Sequence, residues 1–283
     1  MKSISSARIA PRPRSKFDAE SSSNSTLKPP LKWAGGKRWL IPYIRAHWEQ
    51  HGFRRLVEPF CGGLSVALSL TPEDALLNDV NPHLINFYEQ VKRGLQVTIA
   101  ARYDEVLYYQ HRDRFNKLIK HSGVGAEAAQ LFYYLNRTCF NGLCRFNRNG
   151  EFNVPFGSYS SKLKYASEFT EYKYWFRKWT FSTVDFEKLS LRPDDFVYAD
   201  PPYDVEFTTY SKEGFSWGDQ ERVARWLTQH SGPVILSNQR TKQIVELYRD
   251  LNYRVEFRKA PRRISCTGDR TAAWEVLALR NLG

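Results

Sequence analysis

Short apolar runs separated by turn residues divide most of this chain into an α/β rhythm. Leu56-Val57-Glu58-Pro59-Phe60 reads as a buried strand, followed by the turn Cys61-Gly62-Gly63 and an apolar stretch, Leu64 to Leu70, with the character of a helix. Ala75-Leu76-Leu77-Asn78-Asp79 reads as a second strand with an acidic end. Polar and aromatic residues then mix at helical spacing over His83 to Val91, Ala101 to Ile119 and Ala126 to Leu135, where Leu131, Phe132 and Leu135 share a face. Two turn signals follow, Asn141-Gly142 and Asn149-Gly150, and the second is the expected tip of a β-hairpin. The strand rhythm resumes near Glu168. Asp195 to Tyr198 and Pro233 to Leu236 read as strands, and Tyr253 to Phe257 with Trp274 to Leu279 as a final hairpin. Ser216-Trp217-Gly218-Asp219 predicts a capping box before a helix, and Thr241 predicts a cap for another.

A strand, a glycine turn, a helix and a strand ending in an acid form a βαβ unit of Rossmann type. In such units the acid stands about 20 residues beyond the glycines and binds a ribose hydroxyl. The competing reading is an ordinary tight turn with an Asp cap. The expected layout is one α/β domain, 28–81 with 166–283, interrupted by a mostly helical insertion, 82–165, that carries the hairpin. Residues 1–27 are rich in Ser, Arg and Pro without apolar period and are expected to be a disordered basic tail, with order beginning at Leu31.

Charge adds to this picture. The 283 residues carry a formal net charge of +12, which favours a polyanionic partner, although a solvated Lys/Arg-rich surface gives the same sum. Arg258, Lys259, Arg262, Arg263 and Arg270 gather about the final hairpin as a candidate phosphate clamp. No run approaches the roughly 20 apolar residues of a membrane span, and no secretory signal is visible. The four cysteines do not form a disulfide scaffold or a zinc pattern, so a cytoplasmic setting is expected, with no metal.

The sharpest chemical signal is Asp200-Pro201-Pro202-Tyr203, directly after a strand. Asp200 and the Pro201 carbonyl can both accept hydrogen bonds from one exocyclic amine, and each proline fixes its own φ and removes a donor. Tyr203 can stack on a flat heterocycle. Such acceptors localise the nitrogen lone pair toward a methyl donor. A strand-terminating turn is the bland reading of the same four residues.

Taken in order, Lys32-Trp33-Ala34-Gly35-Gly36-Lys37, Glu58 to Gly63, Asn78-Asp79-Val80-Asn81, Asn136 to Arg145, Gly150 to Gly157 and Asp200 to Tyr203 resemble the Dam-type family (D12 class, alpha group) of DNA N6-adenine methyltransferases, over about residues 28 to 281. The resemblance implies S-adenosyl-L-methionine as methyl donor, contacted by Trp33, Lys37, Phe60, Gly62, Asp79 and Asp200. It implies a reaction centre at Asp200, Pro201, Pro202 and Tyr203. It implies double-stranded DNA as partner, a monomeric enzyme with a dimer on DNA left open, and an adenine flipped from the stack. Phe140 falls where relatives often carry a Tyr and is expected to wedge into the stack. Arg145 is the expected guanine reader and Leu143 the expected thymine-methyl contact. Asn141, Asn153 and Pro155 belong to the same expected DNA surface, and GATC is the expected target. Leu64 departs from a glycine frequent in relatives, and Ser158 from an arginine. Two other readings remain open from sequence: an RNA methyltransferase with the same loop, and a DNA-binding relative that has lost catalysis.

Overall fold

The computed structural model describes residues 27–52, 54–121, 123–160, 163–203, 215–261 and 273–282. The expected tail, Leu27 apart, lies outside the described residues, as do Arg262, Arg263 and Arg270 of the candidate clamp.

Seven strands form one sheet: β1 (Leu56–Glu58), β2 (Ala75–Asn78), β3 (Trp179–Ser182), β4 (Phe196–Ala199), β5 (Val234–Gln239), β6 (Arg254–Ala260) and β7 (Ala273–Arg280). Their spatial order is β3-β2-β1-β4-β5-β7-β6. The first five are parallel, and β7 inserts antiparallel between β5 and β6. The order reverses beside β1, which has β2 on one flank and β4 on the other. That reversal opens a crevice at the strand C-termini, where ligands of open α/β sheets bind.

The apolar runs are continuous because the sheet is covered on both faces. Alternate residues enter two separate cores. Leu56, Phe196, Tyr198, Ile235, Leu277 and Leu279 face one, with α1 (Ile41–Gln50) and α3 (Pro82–Arg93). Val57, Val197, Ala199, Val234, Leu236, Val276 and Ala278 face the other, with α7 (Trp217–Thr228) and α8 (Lys242–Asp250). The Ser216–Asp219 capping box forms, and Thr241 Oγ1 accepts from Ile244 N at 3.2 Å, as the sequence predicts.

Residues 82–165 contribute α3, α4 (Glu105–His121) and α5 (Ala126–Thr138), packed through rings such as Phe87, Tyr88, Phe115 and Phe132. The expected hairpin is a short one. Phe146 and Phe152 form a single antiparallel bridge around a tip at Gly150, with no continuous strands. The apolar stretch from Leu64 is helical only over α2 (Ala67–Leu70), because Leu64 itself has φ +60° and turns the chain first. Three elements beyond the predicted ones complete the layout: α1, α6 (Thr170–Phe176) and the edge strand β3.

At the base of the sheet Asp195 is fully buried, and Arg55 grips it with two bonds, Nε to Oδ1 at 2.8 Å and Nη2 to Oδ2 at 2.7 Å. This clamp ties the start of β1 to the start of β4. Arg55→Ala would leave the carboxylate buried without its cation, at a cost of about 3 kcal/mol. Urea unfolding of the variant should show that loss as a lower midpoint at an unchanged slope.

Candidate functional site

A cavity of about 650 Å³ occupies the crevice. The ends of β1, β2 and β4 and the loop before α1 meet there, lined by Trp33, Lys37, Glu58, Phe60, Gly62, Asp79, Asp200 and Tyr203 among others. Every residue expected to touch a cofactor lies on this one wall.

The β1 turn is shaped by Trp33. A Cβ on Gly62 would stand 2.7 Å from Trp33 Nε1, and one on Gly63 would stand 2.7 Å from Trp33 Cβ. Gly62 also has φ +45°, so its lack of a side chain is needed twice. Asp79 closes the turn from the next strand. Its Oδ2 accepts from Gly62 N at 3.2 Å and its Oδ1 from Asn81 N at 2.9 Å. Burial pushes the Asp79 carboxyl up, and these two backbone donors pull it back. Asn81 caps α3 by accepting from His83 N and Leu84 N, which aims the helix N-terminus toward the same crevice. Phe60 packs edge-on against Phe215 and at a tilt against Phe186.

Lys37 is only 3% exposed. Its Nζ lies 2.8 Å from Asp200 Oδ2 and 3.8 Å from Glu275 Oε1, and 4.7 Å over the Tyr203 ring. Asp200 Oδ1 accepts from Ser237 Oγ at 2.8 Å. The Pro202 carbonyl accepts from Gln220 Nε2 at 2.7 Å, and Gln220 is itself held by Asn238. The loop after β4 is therefore braced from β5 and α7 and presents Asp200 at a fixed place. Ser237, Gln220 and Glu275 were not legible as site residues. Ser237-Asn238, at the end of a parallel strand beside β4, was the available signal.

The six residues expected at DNA lie together on the 139–157 segment. Cys139 and Phe156 form a bridge at its base, and Phe140 N donates to Pro155 O at 2.9 Å. Phe140 is 48% exposed, unusual for a large ring, and Asn141 beside it has φ +53°. Arg145 is exposed and braced by Asn153, with Nε to Oδ1 at 2.8 Å. Leu143 is half-buried and Pro155 exposed. Asn136 sews this segment to the cavity loop: Lys32 N donates to its Oδ1 at 2.8 Å, and its Nδ2 donates to Lys32 O at 2.8 Å and Gly142 O at 3.3 Å. Asn81 Nδ2 reaches Cys144 Sγ at 3.3 Å, a second tie.

An acid-ended βαβ unit, an Asp-Pro-Pro-Tyr loop at the switch point and an appended helical segment together define a methyltransferase. The profile of the D12 class N6 adenine-specific DNA methyltransferases matches residues 33–261, and the chain belongs to that family. It is 35% identical over 262 residues to the retron Ec67 DNA adenine methylase of Escherichia coli, covering 88% of this chain and 90% of that one. It is 36% identical over 269 residues to a DNA adenine methylase of Vibrio cholerae, covering 88% and 94%. It is 35% identical over 247 residues to the type II methyltransferase M1.LlaDCHI of Lactococcus lactis, covering 80% and 86%. The chain is thus an adenine-specific DNA methyltransferase, and neither the RNA reading nor the loss of catalysis gains support.

Glu58 lines the cavity yet is almost fully buried, and it accepts from Ala67 N at 2.8 Å. Burial first, and then the charge of Asp200, pushes its carboxyl up to about 8 from an unfolded 4.5. Between those values the folded chain keeps a proton that the unfolded chain has released, so this group erodes stability as pH rises through the window. Glu58→Gln removes the ionisation and keeps the acceptor. Its melting temperature should exceed that of the parent more at about pH 9 than at about pH 5.

Proposed function

We propose that this enzyme methylates the N6 amine of an adenine flipped out of duplex DNA, within GATC, using S-adenosyl-L-methionine. The observation that carries this reading is the Asp200 carboxylate, anchored by Lys37 and Ser237 at the mouth of a cavity large enough for a nucleoside-sized ligand.

The residues fit that donor. The glycine turn lets the Trp33 ring lie directly against the β1 loop in the cavity lining, and Asp79 keeps unused lone pairs for ribose hydroxyls. Trp33 and Phe60 offer apolar and aromatic surface, and Lys37 offers a cation. S-adenosyl-L-methionine supplies an activated methyl group when bound. The chain's own part is to hold the amine. Asp200 and the Pro201 carbonyl accept its hydrogens and draw the lone pair out of ring conjugation. Tyr203 stacks on the base. Catalysis on this account is positioning and preorganised polarity, without a covalent nucleophile.

Residues 82–165 act as the target-recognition domain. The exposed Phe140 ring fills the gap left by the flipped base. Arg145, held extended by Asn153, reads guanine O6 and N7 in the major groove, and Leu143 meets a thymine methyl. Asn141 and Pro155 shape the same surface.

Asp200→Ala should lower methyl transfer by at least roughly a thousandfold while DNA binding persists. Mass spectrometry of nucleosides from treated methyl-free DNA measures this, and full N6-methyladenine yield from the variant would overturn the assignment. Arg145→Ala should lose about 1–3 kcal/mol of discrimination at the guanine position, seen as methylation of sites that differ there when the product is sequenced.

A further inference from the structure

Glu275 touches the site only through Lys37 and has been given no role there, yet its placement is expensive. It lies on β7 between Gln239 of β5 and Arg258 of β6, at 7% exposure and next to the apolar run Val276 to Leu279. A buried carboxylate needs a compensating partner. Its cross-strand neighbour Arg258 does not serve, because that guanidinium bonds Glu256 at 2.7 Å. Among the described residues the one cation within ion-pair distance of Glu275 is Lys37, at 3.8 Å from Oε1. Oε2 has no hydrogen-bond partner among the described residues, and neither does the buried Tyr203 hydroxyl. Burial pushes the Glu275 carboxyl up, while Lys37 and the Tyr203 hydroxyl pull it down and Asp200 pushes it further up. Burial, and then Asp200 and Glu275, push the Tyr203 phenol well up. Lys37, Asp200, Tyr203 and Glu275 therefore feel one another's charge.

We propose that Glu275 is a positioning residue for methyl transfer, sharing the Lys37 ammonium with Asp200 and receiving the Tyr203 hydroxyl at its free oxygen. The physical reason lies in what Asp200 must do. A carboxylate that carries a whole ammonium is a weaker acceptor for a third donor. With Glu275 taking part of that charge, Asp200 keeps acceptor strength for the amine. With its hydroxyl held, the Tyr203 ring stays where it stacks on the base. Strand β7 is hydrogen-bonded on both sides, so the anchor point does not move when loops do. This role rests on the reading that Asp200 to Tyr203 form the reaction centre.

Glu275→Gln keeps volume and removes the charge. Its kcat should fall on the order of tenfold, with KM for both substrates and the unfolding midpoint little changed, and Glu275→Asp should recover part of the rate. Tyr203→Phe added to Glu275→Gln should lower kcat less than it does in the parent, because the two act through one contact. Full turnover by Glu275→Gln overturns the proposal, as does a loss of rate that the unfolding midpoint follows and Asp does not rescue. Asp200→Ala is assayed alongside. If it is inactive while Glu275→Gln runs at full rate, only the Glu275 role falls. If Asp200→Ala also turns over, the reaction-centre reading falls with it.

Discussion

A lysine with almost no contact with water sets the terms for this molecule. Burying the Lys37 ammonium costs several kcal/mol unless carboxylates surround it, and the chain supplies them from distant places. Asp200 comes from the end of β4 and Glu275 from β7, with the Tyr203 ring beneath. Satisfying one charge therefore requires the N-terminal loop, the parallel half of the sheet and its antiparallel addition to be in register together. The crevice beside β1 follows from that registration, and so does its polar mouth in an otherwise apolar sheet.

The polar braces extend outward from this centre in a graded way. Ser237 and Gln220 hold the loop after β4 through side chains buried on neighbouring elements, so the prolines are fixed from behind as well as by their own rings. Farther out, the ties come from two asparagines, Asn136 to Lys32 and Gly142, and Asn81 to Cys144. Side-chain bonds are denser around Asp200 and Pro202 than at the exposed ring of Phe140.

Much of this was legible in the sequence where local rules decide. Ser216–Asp219 and Thr241 form caps because the side chains that satisfy the helix N–H groups are only three residues away. Runs such as Phe196 to Ala199 announce a two-sided sheet because every position is buried. The cavity residues were legible through ordered motifs. What escaped depends on pairing across the chain. Strand β3 has only Trp179 and Phe181 inward over four residues, too brief an alternation to stand out, and α1 rests on Ile44 and Trp48 a turn apart. Glu275 looks like one acid in a strand until Lys37, more than two hundred positions earlier, is set against it. Leu64 holds a left-handed backbone with its side chain fully buried, so core packing there prevails over the conformational preference that favours glycine.

Gly142 carries a consequence for how such enzymes diversify. Any Cβ at that position would collide with the Lys32 side chain, and Asn136 binds both backbones at once. The 139–157 segment is thus not a cassette that can be exchanged freely. A transplanted segment needs a residue without a side chain at its fourth position and must find the asparagine on α5 waiting for it. Grafts that change the exposed positions, Arg145 among them, while leaving this seam intact inherit a working junction. Grafts that cross the seam inherit a steric fault against the Lys32 side chain, whatever surface they were chosen to present.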